Sequence, residues 1–298
     1  MIFLFLTSCE LFEKMDVILR VNYVKELEKI GLLVNMNWLE LLEIISIKML
    51  KIKNLKINVG EKEILKWVSL DFEIGKNYLL LWKNGSWKSS LANFLVWNPK
   101  YEYREWEVLL DKQNLLKMWV SERSRAWIFL SFQHIVEIPW INLWEYLRII
   151  YNNHLLKRPV SLGETSLKNG LSPFLFKRFI RKYLEELDIR ESFLERDLNV
   201  GFSWGEKRKI EILQARLLNP KYMIFDEVDS GLDLDAFKIV ASLIQKLDNK
   251  DNSIIMITHN FKIMDYIDFD KVYVLKDWVI DKEWWLDIID EIKKKGFE

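Results

Sequence analysis

Residues 79–90 read LLLWKNGSWKSS. The leucines make a short apolar run of the kind that forms a buried strand, and it empties into a polar loop ending in Lys88-Ser89-Ser90. Strand, loop and Lys-Ser together have the shape of a phosphate-binding loop, G-x-x-x-x-G-K-[ST]. In such a loop backbone N–H groups wrap a phosphate, the lysine neutralises its charge, and the hydroxyl reaches a magnesium ion. Both glycines of the pattern are tryptophan here, Trp82 and Trp87. Taken alone, Lys88 reads equally well as a surface lysine opening a helix, so the rest of the chain has to decide.

Outward from that loop, strand and helix patterns alternate. MLKIKNLKINV, from Met49, and ILKWVSLDFEIG, from Ile64, alternate as two strands of an antiparallel edge sheet. IFLSFQ (128–133), YMIFDE (222–227), SIIMITH (253–259) and KVYVLK (271–276) read as further strands. KSSLANFLVW, EKRKIEILQARLLN and DAFKIVASLIQKL read as helices between them, which predicts an α/β fold around a parallel sheet. Between about 141 and 200 the pattern is helical, in LWEYLRIIYNNHLL, FLFKRFIRKYLEELDI and ESFLERDL, and forms a block inserted within that sheet.

Several apolar strands close on a polar residue: Gln133, Asp226-Glu227 and His259. In an open parallel sheet the carboxyl ends of the strands form the ligand crevice. An acidic residue there can hold Mg²⁺ through water, and Glu227 can act as general base on an attacking water. Singly, Gln133 is an ordinary loop residue, the carboxylates a turn pair and His259 a structural histidine. Five such residues at strand ends, Lys88 included, make coincidence a poor account.

The totals bound the alternatives. The chain has 298 residues and half are apolar, enough for a sizeable core. Lys+Arg and Asp+Glu both number 44, which argues against a general nucleic-acid-binding role. One cysteine, Cys9, allows neither an internal disulfide nor a cysteine metal cluster. No apolar run approaches the ~18 residues of a membrane span. Residues 1–48 carry no motif. Leu-Thr-Ser-Cys at 6–9 resembles a lipid-attachment box, but no Lys or Arg precedes Cys9. The expectation is that translation starts at Met49, that 1–48 is a leader or mis-assigned extension, and that 49–298 is one cytoplasmic domain.

FSWGEKRK (202–209) resembles the signature loop of ABC ATPases, and the run NVGFSWGEKRKIEILQARLLNPKYMIFDEVDSGLDLDA (199–236) is similar to the SufC family of iron–sulfur cluster assembly ATPases. SFQHIVEIPW resembles that family's Q-loop region, and LANFLVWNPKYE its helix after the phosphate loop. The resemblance spans Met49 to about Phe297. It implies an ABC nucleotide-binding domain: a P-loop core with a parallel sheet, an antiparallel β subdomain and an inserted helical subdomain. It implies ATP and Mg²⁺ as ligands. Trp82, Lys83, Asn84, Gly85, Ser86, Trp87, Lys88, Ser89 and Ser90 would form the nucleotide loop. Ser89, Gln133 and Asp226 would serve the metal, Glu227 would be the base, and His259 would contact the γ-phosphate. Ser203, Trp204, Gly205 and Asp233 would meet ATP held by a second copy of the chain, head to tail. SufB and SufD would be the scaffold partners. The chain departs from the family at Lys83 and Ile135, where prolines are usual, and at His134, where an aromatic is usual. No aromatic precedes the loop to stack on adenine; the candidate segment is NVGEKEI.

Fourteen tryptophans and ten glycines are an odd pair of counts; together they make about 8% of the chain, near ordinary glycine usage alone. Trp67, Trp82, Trp87, Trp97, Trp106, Trp127, Trp140, Trp204, Trp278 and Trp284 all fall where the family has glycine. Trp38, Trp119, Trp144 and Trp285 have no firm counterpart. A UGA codon translated as tryptophan but read as glycine in the cell produces this pattern, and restoring it turns 82–89 into GKNGSGKS. Two rival readings stay open: the ATPase subunit of an ABC transporter, against which stands Glu206 where transporters usually carry glutamine, and a nucleotide-blind scaffold protein if the indoles are real.

Overall fold

The computed structural model describes residues 49–59, 62–82, 88–96, 102–103, 107–110, 113–125, 128–155, 170–276 and 279–285. Apart from Met49 these lie in one compact unit, Leu50–Glu298.

The centre is a six-stranded sheet. Its strands are β3 (Tyr78–Trp82), β7 (Ile128–Ser131), β10 (Tyr222–Asp226), β11 (Ser253–Thr258), β12 (Lys271–Lys276) and β13 (Val279–Trp285), in the order β13-β12-β3-β11-β10-β7. Neighbours from β12 to β7 run parallel, and β13 returns antiparallel on the outer edge. β10 and β11 are buried along their whole length, which is why they read as unbroken apolar runs instead of alternating ones.

Because side chains alternate across a strand, each central strand feeds two cores. Leu79, Leu81, Met223, Phe225, Ile254 and Met256 face one. It is closed by α3 (Leu143–Leu155), α4 (Pro173–Glu186), α5 (Trp204–Leu218) and α6 (Leu234–Gln245). Tyr78, Leu80, Ile224, Ile255 and Ile257 face the other, against α1 (Lys88–Leu95) and a second sheet. That sheet contains β1 (Met49–Val59) and β2 (Lys62–Glu73), as the alternation predicts. It also takes β5 (Glu107–Leu110) and β6 (Gln113–Asn114) in the order β2-β1-β5-β6, with β4 (Glu102–Tyr103) on β1. These last strands have two to four residues, too short for a period-2 signal. Asn77 ties the starts of three central strands: its N–H donates to Asp270, its amide nitrogen to the Asp268 carbonyl, and its amide oxygen accepts from Ile254 N–H.

The inserted block is helical in α3 and α4. Ser172 caps α4 by accepting from Leu175 N–H, Pro173 follows, and Phe176, Ile180 and Leu184 turn one face inward at four-residue spacing. The third predicted helix, ESFLERDL, is instead a 3₁₀ turn over Glu191–Glu195 followed by β9 (Asp197–Leu198). β9 pairs antiparallel with β8 (Ile138–Asn142), so the block opens and closes on a small ribbon. Isolated short segments of this kind take the shape that their partner strand imposes, which propensity does not report.

Candidate functional site

Parallel pairing brings four carboxyl ends to one edge. Ser131 lies opposite Phe225, Asp226 opposite Ile257, and Thr258 opposite Leu81. The residues that follow these strands therefore meet over the same crevice. β3 ends at Trp82 and α1 begins at Lys88, which sets a helix N-terminus at that edge, the arrangement that binds phosphate through unpaired N–H groups. Lys83, Asn84, Gly85, Ser86 and Trp87 lie outside the described residues, as do the side chains of Trp82, Lys88 and Ser89. Ser90 is buried in α1.

The expected base is the hub of the edge. Gln133 Nε2 donates to one carboxylate oxygen of Glu227 at 2.5 Å, and His259 Nδ1 stands 3.3 Å from the other. Glu227 is 7% exposed, whereas the His259 side chain is mostly exposed, so the carboxylate sits at the floor of the crevice and the imidazole at its mouth. Glu227 holds a left-handed backbone, φ +46°, while its N–H donates to the Ile257 carbonyl at 2.9 Å. A residue with a Cβ adopts that conformation at a cost of about 1–2 kcal/mol. The hydrogen bond to β11 holds it there and turns the side chain off the strand direction. Thr258 Oγ1 donates to Asp229 and accepts from Asn260 N–H, which fixes the segment that carries His259.

Ser203, Trp204, Gly205 and Asp233 gather elsewhere, at the starts of α5 and α6. Ser203 accepts from Glu206 N–H while the Glu206 carboxylate accepts from Ser203 N–H at 2.8 Å, a reciprocal capping box. Asp233 caps α6 by accepting from Ala236 N–H at 2.8 Å. The helix starts adjoin: a Cβ on Gly205 would meet Ala236 Cβ at 3.6 Å, and both residues line a surface cleft of about 360 Å³ with Ser203, Glu206 and Lys209. The Trp204 ring lies over Gly231, 3.4 Å from where a Cβ would be, and is 42% exposed. Gln133, Glu227 and His259 do not line this cleft. The chain thus presents two separate constellations, one at the strand ends and one at the helix starts.

Arg208 and Glu211, which the sequence patterns pass over, lie behind the hub. Arg208 is 1% exposed and donates to the carbonyls of Phe132, Gln133 and Glu227, to Ser131 Oγ and to Glu211. Glu211 also accepts from Ser131 Oγ at 2.7 Å and from Phe132 N–H. Burial pushes its carboxyl pKa up, against the pull of Arg208 and of these donors. Lys207, one residue earlier on α5, donates to Glu137 at 2.6 Å. The available signal was an i, i+3 Arg-Glu pair on a helix whose other face is charged as well.

Residues 65–230 match the ABC transporter family model. A probable ATP-dependent transporter, ycf16, of Cyanophora paradoxa is 39% identical over 84% of this chain and 94% of its own length. The probable ATP-dependent transporter slr0075 of Synechocystis is 37% identical over 84% and 94%. A probable ABC transporter ATP-binding protein of Streptococcus pyogenes is 34% identical over 83% and 93%. Among solved structures, the dimeric ATP-binding cassette MJ0796 bound to ADP and Pi superposes with a TM-score of 0.63 at 22% identity, over 80% of this chain and 98% of that one. This last likeness carries the fold alone. The family match and the full-length relatives carry more: the chain belongs to the ABC transporter family and is an ABC-type ATPase.

Proposed function

We propose that this ATPase is a SufC-type energy subunit: two copies close over two bound ATP molecules, and ATP hydrolysis then drives the reshaping of a SufB–SufD scaffold that builds iron–sulfur clusters. The observation that carries the hydrolytic part is the Gln133–Glu227–His259 constellation. Its central carboxylate is held on both oxygens and stands at the carboxyl edge of the parallel sheet, where a general base for an attacking water is expected. Glu227 takes that proton. Gln133 and His259 hold the carboxylate in place for it. Lys88 and the N-terminus of α1 bind the phosphates. Asp226 and the amide oxygen of Gln133 are hard oxygen donors at neighbouring strand ends, the donor type that Mg²⁺ takes, and Ser89 would complete the set. When bound, Mg²⁺ neutralises charge on the β- and γ-phosphate oxygens. Residues 49–298 form the ATPase domain, working in the cytoplasm. The Suf assignment is supported by the run 199–236 and by Glu206, where transporter ATPases usually carry glutamine.

The transporter reading is favoured by the names of the relatives. Among the described residues no helix is long and apolar enough to cross a membrane, so transport would need a separate permease. Purification from native membranes and cytosol separates the two: soluble SufB- and SufD-like partners support the Suf reading, and a permease in the detergent extract overturns it.

The native chain, on this reading, carries glycine at Trp67, Trp82, Trp87, Trp97, Trp106, Trp127, Trp140, Trp204, Trp278 and Trp284, encoded by UGA. Support comes from the backbone: Trp67 has φ +55° and Trp140 φ +70°, left-handed values that a glycine adopts without strain. Trp140 is 94% exposed, so no packing of its ring explains its place. Peptide mass spectrometry of the native protein decides it, because each Trp-to-Gly difference is resolved directly. Indole masses at 82 and 87 would leave the nucleotide-blind scaffold as the surviving account.

A further inference from the structure

The buried cluster behind the hub joins two parts that hydrolysis uses separately. One is the strand-end residue Gln133. The other is α5, whose N-cap is Ser203. Three side chains of α5 grip the segment 131–137: Lys207 through Glu137, Arg208 through the Phe132 and Gln133 carbonyls, and Glu211 through Ser131 Oγ and Phe132 N–H. Glu211 is the acceptor at the root of this grip. It is 7% exposed and lies next to Arg208 at 2.7 Å, so neither charge meets water. A buried carboxylate flanked by three donors is costly to disturb and therefore holds those donors tightly.

We infer that Glu211 is a positioning residue: it clamps the Ser131–Phe132 backbone to α5, and so sets where Gln133 meets the Glu227 carboxylate. It touches no reacting atom. Its effect runs along two peptide units, from Phe132 N–H to the Gln133 side chain. A displacement of the amide nitrogen by about 1 Å would break the contact to Glu227, and errors of that size lower turnover by orders of magnitude while leaving nucleotide binding to other groups. Because Arg208 also donates to the Glu227 carbonyl, the same cluster reports the position of α5 to the base. The start of α5 is where Ser203 sits, so a shift there and a shift of Gln133 become one movement.

The inference rests on the ATPase reading, and the experiment separates the two. The parent is the full chain made with glycine at the ten family positions. Its ATP turnover with Mg²⁺ is measured beside E211Q, S131A, Q133A and the double variant E211Q/Q133A. Hydrogen–deuterium exchange is followed over peptides covering 128–137. A parent that does not hydrolyse ATP overturns the functional reading itself. Given an active parent, E211Q is expected to lower kcat by about tenfold with KM for ATP within about twofold, and S131A to do the same to a lesser degree. Exchange at 131–133 speeds up in both. The double variant is expected to lose little more than Q133A alone, because both changes act on one contact. E211Q with parental kcat, or losses that multiply in the double variant, would overturn the inference. If E211Q does not fold, S131A removes a single donor from a side chain of similar size and carries the same pair of outcomes.

Discussion

Gln133 and Glu227, 94 residues apart in sequence, are joined by a 2.5 Å hydrogen bond from the glutamine amide to the glutamate carboxylate. Neither strand supplies this contact alone. β7 and β10 are sheet neighbours, and their paired carboxyl ends bring the two side chains within reach. A carboxylate held on both oxygens before a reaction has already lost the freedom that it would otherwise lose in reaching a transition state.

Replacing Glu227 by glutamine keeps the size of the side chain and removes the proton acceptor. E227Q in the glycine-form chain is expected to lower turnover by at least about a hundredfold, the usual worth of a general base, with ATP affinity little changed. Single-turnover hydrolysis and equilibrium nucleotide binding, measured side by side, check this. A variant that retains a tenth of parental activity would remove Glu227 from the role.

Trp140 shows its ring to water from a left-handed backbone. W140G relieves about 1–2 kcal/mol of strain and gives back part of it through the greater freedom of the unfolded glycine chain. The expected net gain is about 0.5–1 kcal/mol, or about 2 °C in Tm for a domain of this size. Calorimetry on the two chains reads it, and a lower Tm for W140G would count against glycine at this position.

S203A opens the capping box. The lost side-chain acceptor leaves an N-terminal N–H of α5 unsatisfied and is expected to cost about 1 kcal/mol, seen as a lower midpoint in urea at unchanged m-value. An unchanged midpoint would mean that the Glu206 half of the box suffices.

Glu137 lends the fold a pH dependence of known sign. Its hydrogen bond to Lys207, with the ammonium charge behind it, lowers its pKa below the ordinary value of about 4.5. A carboxyl lowered on folding contributes stability above its unfolded pKa and loses it as pH falls through the folded one. The Tm difference between the parent and E137Q is therefore expected at neutral pH and to shrink below about pH 4.5. The pair is exposed on the glutamate side, so salt should shrink it as well. A difference that widens on acidification would reverse the assignment.

The amino-acid sequence by itself determined the five parallel strands of the central sheet, the helices α1, α3, α4, α5 and α6, and the polar residues that close the strands; the antiparallel edge strand β13 was not legible in it. Buried parallel strands are apolar along their length, and the polar residue that stops each run is conspicuous against it. The sequence also singled out ten tryptophans at positions where the family it resembles has glycine, and at two of them, Trp67 and Trp140, φ is positive, the conformation that favours glycine. Tertiary structure alone decided the rest. The strands β4, β5 and β6 and the Asp197–Leu198 ribbon are too short to carry a period and exist only through their partners. The Arg208–Glu211 cluster was passed over, because sequence spacing says which residues share a helix face but not what that face packs against. Packing against the Ser131–Gln133 segment, rather than water, is what turns those two charges into a clamp.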